Sequence, residues 1–234
     1  MEPPAVKYIA QLVGVRELAL WGAAELSWWR DHLAGEELEP VEVDGQAQVF
    51  VTGLDTKWMG IPFRDISVAV AARRLSGSAE TGVFLARAFN ASRFIAGVER
   101  WWFHLPYLFR ADLHVKVRDP AAMRLGGQPG ADLLAELGPR ESSGESAAAQ
   151  EMGYTGALFL PTGRDRNRRR WFMVQIRGLT STFDFDAARD RFEIGSGCGD
   201  PILAGLRASQ FRGVQWYVRR SATHARSKTF QARR

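Results

Sequence analysis

The segment Thr81–Arg118, TGVFLARAFNASRFIAGVERWWFHLPYLFRADLHVKVR, decides the fold because three different patterns follow one another in it. Val83 to Phe89 is a short apolar run, typical of a strand buried on both faces. Asn90 is then suited to cap a helix through its side-chain carbonyl. That helix must end by Leu105, because Pro106 disfavours helical geometry in the residue before it. The predicted order is strand, helix, turn, strand.

The predicted helix has one broad apolar stripe, and the strand after the turn has an alternating pattern. The stripe consists of Phe94, Ile95, Val98, Trp101 and Trp102. From Tyr107 to Arg118, apolar residues alternate with almost wholly ionisable ones. This period of two predicts an antiparallel sheet curled round a core, with the charged row facing either water or a polar cavity.

The composition allows one large β-rich domain or two small ones. The 234 residues are 46% hydrophobic and include eight Trp and fourteen Phe. Aromatic residues at this density suit a packed interior or an apolar pocket, and composition does not distinguish the two. We expect a single domain over residues 1–220 and a basic C-terminal tail over residues 221–234.

The charge of +5 comes from arginine, because only four of the 31 basic residues are lysine. Arginines crowd the segment 164–170 and, without any acid, the segment 219–234. Such segments can contact nucleic acid or an anionic surface. The tail is interpreted as a solvated, partly disordered end, because no nucleic-acid-binding module is recognisable elsewhere. Nucleic acid is therefore not the expected partner.

One cysteine, Cys198, excludes an internal disulfide and a cysteine-based metal cluster. The first residues lack the pattern of a signal peptide, and no stretch of about 18 apolar residues occurs. The expectation is a cytoplasmic protein with no membrane partner. The sequence is also compatible with a homo-oligomer.

The segments before and after Thr81–Arg118 are predicted as mostly short strands, with one helix, one loop and one insertion. In order they are a strand over 8–20, a helix over 23–34, a hairpin over 39–52 with its turn at Asp44-Gly45, a loop over 53–62, a strand over 63–72, a long mobile insertion over about 119–150, and strands over 156–160, 171–177, 182–185 and 211–218.

Two stretches carry a family resemblance: MGIPFRDISVAVAAR (59–73) and FNASRFIAGVERWWFHLPYLFRADLHV (89–115). They resemble the acetoacetate decarboxylase-like superfamily, and the Leu-Pro-Tyr turn is most similar to its uncharacterised YqjF-like branch. The resemblance extends over about residues 10–118. It implies a β-dominated α+β fold, a cone-shaped and mostly antiparallel β-barrel with a few flanking helices and a small-molecule site inside.

In the decarboxylases of that family, a Gly-Arg-Glu segment leads to a Pro-Lys-Lys turn whose lysine forms a Schiff base with a β-keto acid. By position, the resemblance puts Asp65 near the family's strand carboxylate, Glu99 near the Glu of Gly-Arg-Glu, and Tyr107 on the residue after the proline. Tyrosine cannot form an imine and no lysine adjoins Pro106, so the nucleophile of that chemistry is missing. Lys116, further along the strand, is the less favoured substitute.

The candidate catalytic residues are Asp65, Glu99, His104 and Tyr107, and the candidate substrate-binding residues are Arg87, Arg100, Trp58 and Trp102. Arg87 stands inside an apolar run and needs a partner, for which Asp65 is the obvious choice. Tyr107 can equally be a turn tyrosine packed on Trp102, and His104 a solvated residue at a helix end.

The expected function is a cofactor-free and metal-free enzyme that uses acid–base side chains. The predicted reaction is cyclisation, dehydration or isomerisation of a small carbonyl- or carboxylate-bearing substrate. The alternatives are a non-catalytic small-molecule-binding barrel and a decarboxylase that uses Lys116.

Overall fold

The computed structural model describes residues 6–75, 81–127, 130–140, 149–162 and 168–233. Within these ranges the chain forms fifteen strands and three helices. The strands are β1 (Tyr8–Glu25), β2 (Leu38–Pro40), β3 (Glu42–Val43), β4 (Gln46–Trp58), β5 (Ile61–Arg74), β6 (Thr81–Asn90), β7 (Tyr107–Phe109), β8 (Leu113–Lys116), β9 (Ala121–Leu125), β10 (Leu133–Leu137), β11 (Gln150–Leu160), β12 (Arg168–Asp184), β13 (Arg191–Ile194), β14 (Arg212–Ser227) and β15 (Phe230–Arg233). The helices are α1 (Leu26–Leu33), α2 (Arg93–Trp101) and α3 (Pro201–Ala208).

Seven long strands close a barrel in the order β5, β4, β1, β14, β12, β11, β6 and back to β5. Neighbours pair antiparallel except β6 and β11, which pair in parallel. The predicted β-dominated, mostly antiparallel barrel with a few helices is confirmed.

A second sheet of four strands, in the order β13, β10, β9, β8, packs on the outside of the barrel. The main core fills the space between them, and both α1 and α3 contribute to it. Fully buried members include Leu18 and Ile66 from the barrel, Met123 from the second sheet and Trp29 from α1. Burial of these large side chains supplies most of the driving force for folding.

Three segments differ from the sequence-based prediction. The insertion predicted as mobile over 119–150 contains β9 and β10, two strands of the second sheet. The tail predicted as partly disordered from residue 221 continues β14 to Ser227 and then forms β15 against β12. The loop predicted over 53–62 is a tight hairpin, because β4 and β5 extend to a turn at Met59 and Gly60, where φ is 49° and 83°. Alternating patterns in short polar segments are weak, so these segments form strands because neighbouring strands pair with them.

Helix α2 is turned differently from the expected orientation. Its cap is Ser92, whose side chain accepts a hydrogen bond from Ile95 N, instead of Asn90. Three aromatic members of the predicted stripe are exposed: Phe94 by 60%, Trp101 by 81% and Trp102 by 80%. The buried residues of the helix are Ile95, Ala96 and Glu99.

The strand predicted from Tyr107 to Arg118 is broken into β7 and β8, which belong to different sheets. Between them Arg110 forms ion pairs with Asp112 and Asp132, at 2.8 and 2.7 Å. His114 and Lys116 are exposed, so the charged row of β8 faces water.

No helix in the described ranges is both long and apolar enough to cross a bilayer.

The parallel contact of β6 with β11 yields a stability prediction. A Cβ at Gly82 would lie 2.2 Å from the carbonyl oxygen of Ala157. Gly82→Ala is therefore expected to lower the free energy of unfolding by about 1–3 kcal/mol, because the backbone must shift where the barrel closes. Urea denaturation measures the change.

Gly97→Ala in α2 is the matched control, because a Cβ there meets no atom within 4 Å. It is expected to be neutral or stabilising by about 0.5–1 kcal/mol through helix propensity. Equal effects of the two substitutions would contradict the proposed closure.

Candidate active site

The pairing register identifies which side chains point into the barrel. A Cβ at Gly53 would touch Met123 and Val115 of the second sheet, so Gly53 faces outward. Successive residues on a strand point to opposite faces. The next residue, Leu54, therefore faces the interior, together with its paired neighbours Glu17 and Asp65.

At the height of Glu17, Leu54 and Asp65 along the barrel, β14 and β12 also place residues in the interior. Glu17 pairs with Arg219, and Arg219 pairs with Thr180. The register thus places a band of polar residues side by side in the barrel interior, although they come from distant parts of the sequence. We call the group Glu17, Asp65, Glu99, Tyr107, Thr180, Arg219, His224 and Arg226 the interior polar cluster.

Glu17 is the most extensively paired carboxylate of the cluster. Arg219 Nη1 lies 2.6 Å from Glu17 Oε1, and His224 Nε2 lies 2.8 Å from Glu17 Oε2. Arg219 Nε donates to Thr180 Oγ1 at 2.9 Å. Burial alone would raise the pKa of Glu17, but its hydrogen bond to His224 and the charges of His224 and Arg219 hold that pKa below its usual range. Glu17 is therefore an ionised, fixed carboxylate at neutral pH.

Asp65 has the opposite character. Tyr107 donates its hydroxyl hydrogen to Asp65 Oδ2 at 2.6 Å, and Asp65 Oδ1 has no partner among the described residues. Burial raises the pKa of Asp65 to about 7, against the opposing effect of the Tyr107 hydrogen bond. Burial and the nearby charge of Asp65 raise the pKa of Tyr107 well above its usual value. Asp65 can therefore exchange a proton near neutral pH, while Tyr107 remains a hydrogen-bond donor.

Helix α2 contributes the third carboxylate. Arg226 Nη1 donates to Glu99 Oε2 at 2.7 Å. The guanidinium carbon of Arg226 lies 4.1 Å from the ring centroid of Phe103 and 5.5 Å from that of Phe172. The negative charges of Glu99 and Glu17 both help to raise the pKa of Asp65, so these groups act within one electrostatic environment.

Part of the barrel interior is accessible. On β5 the outward-facing Ile66 and Val68 are fully buried, whereas the interior-facing Ser67 and Ala69 are only half-buried. Successive residues on a strand point to opposite faces, so Ser67 and Ala69 point into the barrel. Because both are only half-buried, solvent reaches part of the barrel interior. Within the cluster, His224 and Arg226 keep 16% and 23% of their side-chain surface exposed, whereas Glu17 and Asp65 are buried.

The structure brings together three of the four predicted catalytic residues: Asp65, Glu99 and Tyr107. The fourth, His104, is exposed on the turn after α2, where φ is 59°. Partial burial and the charge of Arg170 lower the pKa of His104. His104 thus lies outside the cluster as a mostly solvated residue.

The predicted binding residues lie elsewhere. Arg87 does not pair with Asp65; its Nε lies 2.9 Å from Oδ2 of Asp200, the residue that caps α3. Arg100 on α2 and Trp102, which follows the helix, are exposed. Trp58 is half-buried at the end of β4. Because Arg87 pairs with Asp200 and Asp65 with Tyr107, the prediction of Arg87 as the partner of Asp65 is wrong.

Sequence reasoning missed Glu17, Arg219, His224 and Arg226. Glu17 is a carboxylate inside the apolar run VRELALW, but its partners Arg219 and His224 lie in the basic C-terminal segment that the sequence predicts to be solvated. The signal was the period of two in SATHARS, which places Ala222, His224 and Arg226 on one strand face. Two arginines of this basic segment, Arg219 and Arg226, therefore belong to the interior polar cluster, whereas Arg220 is exposed.

Among the described residues, no group of three or more His, Cys, Asp or Glu side chains is placed to hold a metal ion.

No protein-family model matches the sequence, and no curated protein matches it either. Solved structures do match along nearly the whole chain. An acetoacetate decarboxylase-like enzyme from Sphingomonas wittichii RW1 is 13% identical with a TM-score of 0.55, covering 97% of this chain and 94% of that one. The enduracididine biosynthesis enzyme MppR, in a structure with HEPES bound, is 11% identical with a TM-score of 0.61, covering 97% and 89%.

Two further matches extend this result. MppR was also solved with the condensation product of pyruvate and imidazole 4-carboxaldehyde, and that structure matches with a TM-score of 0.60 at 11% identity, covering 97% of this chain and 90% of that one. Acetoacetate decarboxylase from Legionella pneumophila is 12% identical with a TM-score of 0.56, covering 96% and 90%. Identities this low establish architecture alone. Together with the closed barrel, they show that this chain has the acetoacetate decarboxylase-like fold.

Proposed function

We propose that this protein is a small-molecule enzyme that catalyses proton transfer next to a substrate carbonyl inside the barrel. The main support for this proposal is the contrast between two buried carboxyl groups: the pKa of Asp65 is about 7, whereas Glu17 is held ionised. Environments that separate the protonation states of neighbouring carboxyls are typical of acid–base sites.

In this proposal Asp65 accepts or donates the proton at the reacting carbon. Once Asp65 carries the proton, it no longer requires the hydrogen bond from Tyr107. The one hydroxyl hydrogen of Tyr107 can then turn to the substrate oxygen on which negative charge develops, which stabilises an enolate-like transition state. Glu17, fixed by Arg219 and His224, keeps a negative charge near Asp65 and so favours its proton-bound form. Cyclisation, dehydration and isomerisation all use such a proton transfer.

The structural neighbours support a carbonyl substrate. MppR was solved with the condensation product of pyruvate and imidazole 4-carboxaldehyde, so one protein of this fold holds a compound formed from a carbonyl acid and an aldehyde. The Leu-Pro-Tyr turn and its tyrosine further favour placement near the YqjF-like branch of the superfamily.

We infer that imine formation is not part of the mechanism. All four lysines of the sequence, Lys7, Lys57, Lys116 and Lys228, are exposed. Lys116 lies on the outer face of β8, which argues against the decarboxylase alternative. A Schiff-base lysine needs a desolvated or cation-rich environment that lowers its pKa.

Deuterium exchange tests the proposal. In D₂O the protein is expected to accelerate exchange of the methyl protons of pyruvate, measured by proton NMR. Asp65→Asn is expected to reduce the accelerated rate at least about a hundredfold, because it removes the proton-transferring group. Tyr107→Phe is expected to cause a smaller reduction.

Asp44→Asn, in the exposed β3–β4 turn, is the control and should leave the exchange rate unchanged. Borohydride treatment with pyruvate should give no covalent adduct by mass spectrometry, whereas a lysine adduct would overturn the imine-free mechanism. Binding of pyruvate without accelerated exchange would instead favour the non-catalytic barrel.

A further inference from the structure

Helix α2 carries a row of exposed aromatic side chains on the face that points away from the barrel. Phe94 and Trp101 lie seven positions apart, which is about two helical turns, so they are aligned on one face. Trp102 caps the helix in helical geometry and is also exposed. The opposite face, with Ile95 and Glu99, is buried. The apolar stripe of α2 is therefore not used for packing within this chain.

The exposed aromatic surface continues from α2 onto the end of β7. Phe109 is 38% exposed, and the guanidinium carbon of Arg93 lies 5.1 Å from the centroid of its ring. We define the α2 outer face by six residues: Arg93, Phe94, Arg100, Trp101, Trp102 and Phe109. Its four aromatic side chains expose an area of the order of 500 Å². Exposed apolar patches of this size mark contact sites for proteins or membranes.

The charged groups on the α2 outer face are both arginines. Arg93 and Arg100 are seven positions apart as well, so they form a second row beside the aromatic row. The acids nearest in sequence are engaged elsewhere: Glu99 forms an ion pair on the buried side of the helix, and Asp112 pairs with Arg110 at 2.8 Å. The face thus presents aromatic rings together with positive charge.

We propose that the α2 outer face docks this protein on an anionic lipid surface. Tryptophan indoles favour the level of the lipid head groups, where one end of the ring is apolar and the other is hydrated. Neighbouring arginines are attracted by anionic head groups. The sequence-based expectation of no membrane partner rests on the lack of a spanning segment, and a helix that lies in the interface does not need one.

A second copy of this chain fits the α2 outer face less well. In a twofold dimer the same surface meets itself, so the arginines of both copies would approach each other with no acid of the face between them. Trp101 and Trp102 are consecutive residues and point about 100° apart around the helix axis. A fluid layer of head groups can surround both rings, whereas a rigid flat surface contacts only one of them fully.

Co-sedimentation with lipid vesicles tests the proposal. The unaltered protein is expected to bind phosphatidylcholine vesicles that contain about one-third phosphatidylglycerol at least about tenfold more tightly than vesicles of phosphatidylcholine alone, because each arginine near an anionic surface contributes about fivefold in affinity. Raising the salt concentration from about 0.1 M to about 1 M should weaken binding to the anionic vesicles, because the screening length falls from about 10 Å to about 3 Å.

Two double variants separate the aromatic from the charged contribution. Trp101→Ser/Trp102→Ser is expected to weaken binding to the anionic vesicles at least about tenfold, because it removes the rings that enter the interface. Arg93→Gln/Arg100→Gln is expected to remove most of the preference for anionic over neutral vesicles. Circular dichroism verifies that each variant is folded. Phe94→Ser carries the aromatic test if the tryptophan variant does not fold.

Each variant has a matched control outside the α2 outer face. Met59→Ser/Leu179→Ser replaces two exposed apolar side chains, one on the β4–β5 turn and one on β12. Arg212→Gln/Arg220→Gln replaces two exposed arginines of β14. Both controls are expected to bind the anionic vesicles nearly as tightly as the unaltered protein.

Three results would overturn the proposal: no sedimentation of the unaltered protein with the anionic vesicles, equal affinity of the tryptophan variant and its control, or an unchanged lipid preference in Arg93→Gln/Arg100→Gln. Light scattering addresses the second copy. A dimer that Trp101→Ser/Trp102→Ser dissociates, without vesicle binding, would assign the face to self-association instead. The exchange assay of the proposed function reports on the barrel interior, so exchange and vesicle binding can fail independently.

Discussion

Replacing Glu17 by glutamine is expected to lower the free energy of unfolding by about 3–5 kcal/mol, because it removes the charge that compensates Arg219 in the barrel interior. Glu17 and Arg219 are both buried, and their ion pair measures 2.6 Å. Glutamine is close in size and can keep one hydrogen bond, so the loss reports on charge compensation more than on packing. Urea denaturation at neutral pH measures the change.

Glu39→Gln is the matched control for Glu17→Gln. Glu39 also pairs with an arginine, Arg73, but both side chains of that pair are substantially exposed. Exposed pairs contribute about 0–1 kcal/mol because water screens them. Similar losses in the two variants would contradict the assignment of Glu17 to a desolvated cluster.

The effect of Glu17→Gln also depends on pH. The pKa of Glu17 is held below its unfolded value, so the folded protein binds fewer protons than the unfolded chain as the pH falls. The stabilisation by Glu17 is fully present above the unfolded pKa and is lost as the pH falls through the folded one. The difference in the free energy of unfolding between the unaltered protein and Glu17→Gln should therefore become smaller at acid pH.

Replacing Asp65 by asparagine is expected to change stability with the opposite pH dependence. Asp65 has a pKa of about 7 in the fold, against about 4 in an unfolded chain. Between these values the folded protein binds more protons, so its stability falls as the pH rises through that window. The corresponding free energy is of the order of 4 kcal/mol.

Asparagine does not ionise and can still accept the hydrogen bond from Tyr107. The stability of Asp65→Asn relative to the unaltered protein should therefore increase by up to about 4 kcal/mol between pH 4 and pH 8. Urea denaturation at both values measures it. Asp44→Asn, at an exposed turn, should show no such trend, and a flat difference for Asp65→Asn would mean that Asp65 is ionised and well solvated in the fold.

The two predictions have a common functional meaning. When Asp65 is ionised, it lowers the stability of the fold. Residues that lower stability in this way are typical of catalytic sites, where function takes precedence over stability. If Asp65→Asn is more stable at pH 8 and also loses proton exchange, the cost is tied to the reaction. Stabilisation without loss of exchange would assign the proton transfer to another group.

Local sequence patterns determined the architecture of this protein. The period of two in β5 placed Asp65 on the face opposite Ile66, and the Leu-Pro-Tyr turn placed Tyr107 at the start of a strand. The order of these elements carries the family resemblance, and that resemblance implies the barrel and the positions of three members of the interior polar cluster. Short-range patterns can do this because strand faces and turns depend on neighbouring residues.

Only the tertiary structure decided which charges meet. His224 contacts Glu17 from 207 positions away and Arg226 contacts Glu99 from 127 positions away. The pattern of a strand shows which side chains share a face, but the register and barrel closure choose the partner across the sheet. For the same reason α2 could not be oriented from its stripe: with Glu99 paired to Arg226 in the interior, Trp101 and Trp102 face outward.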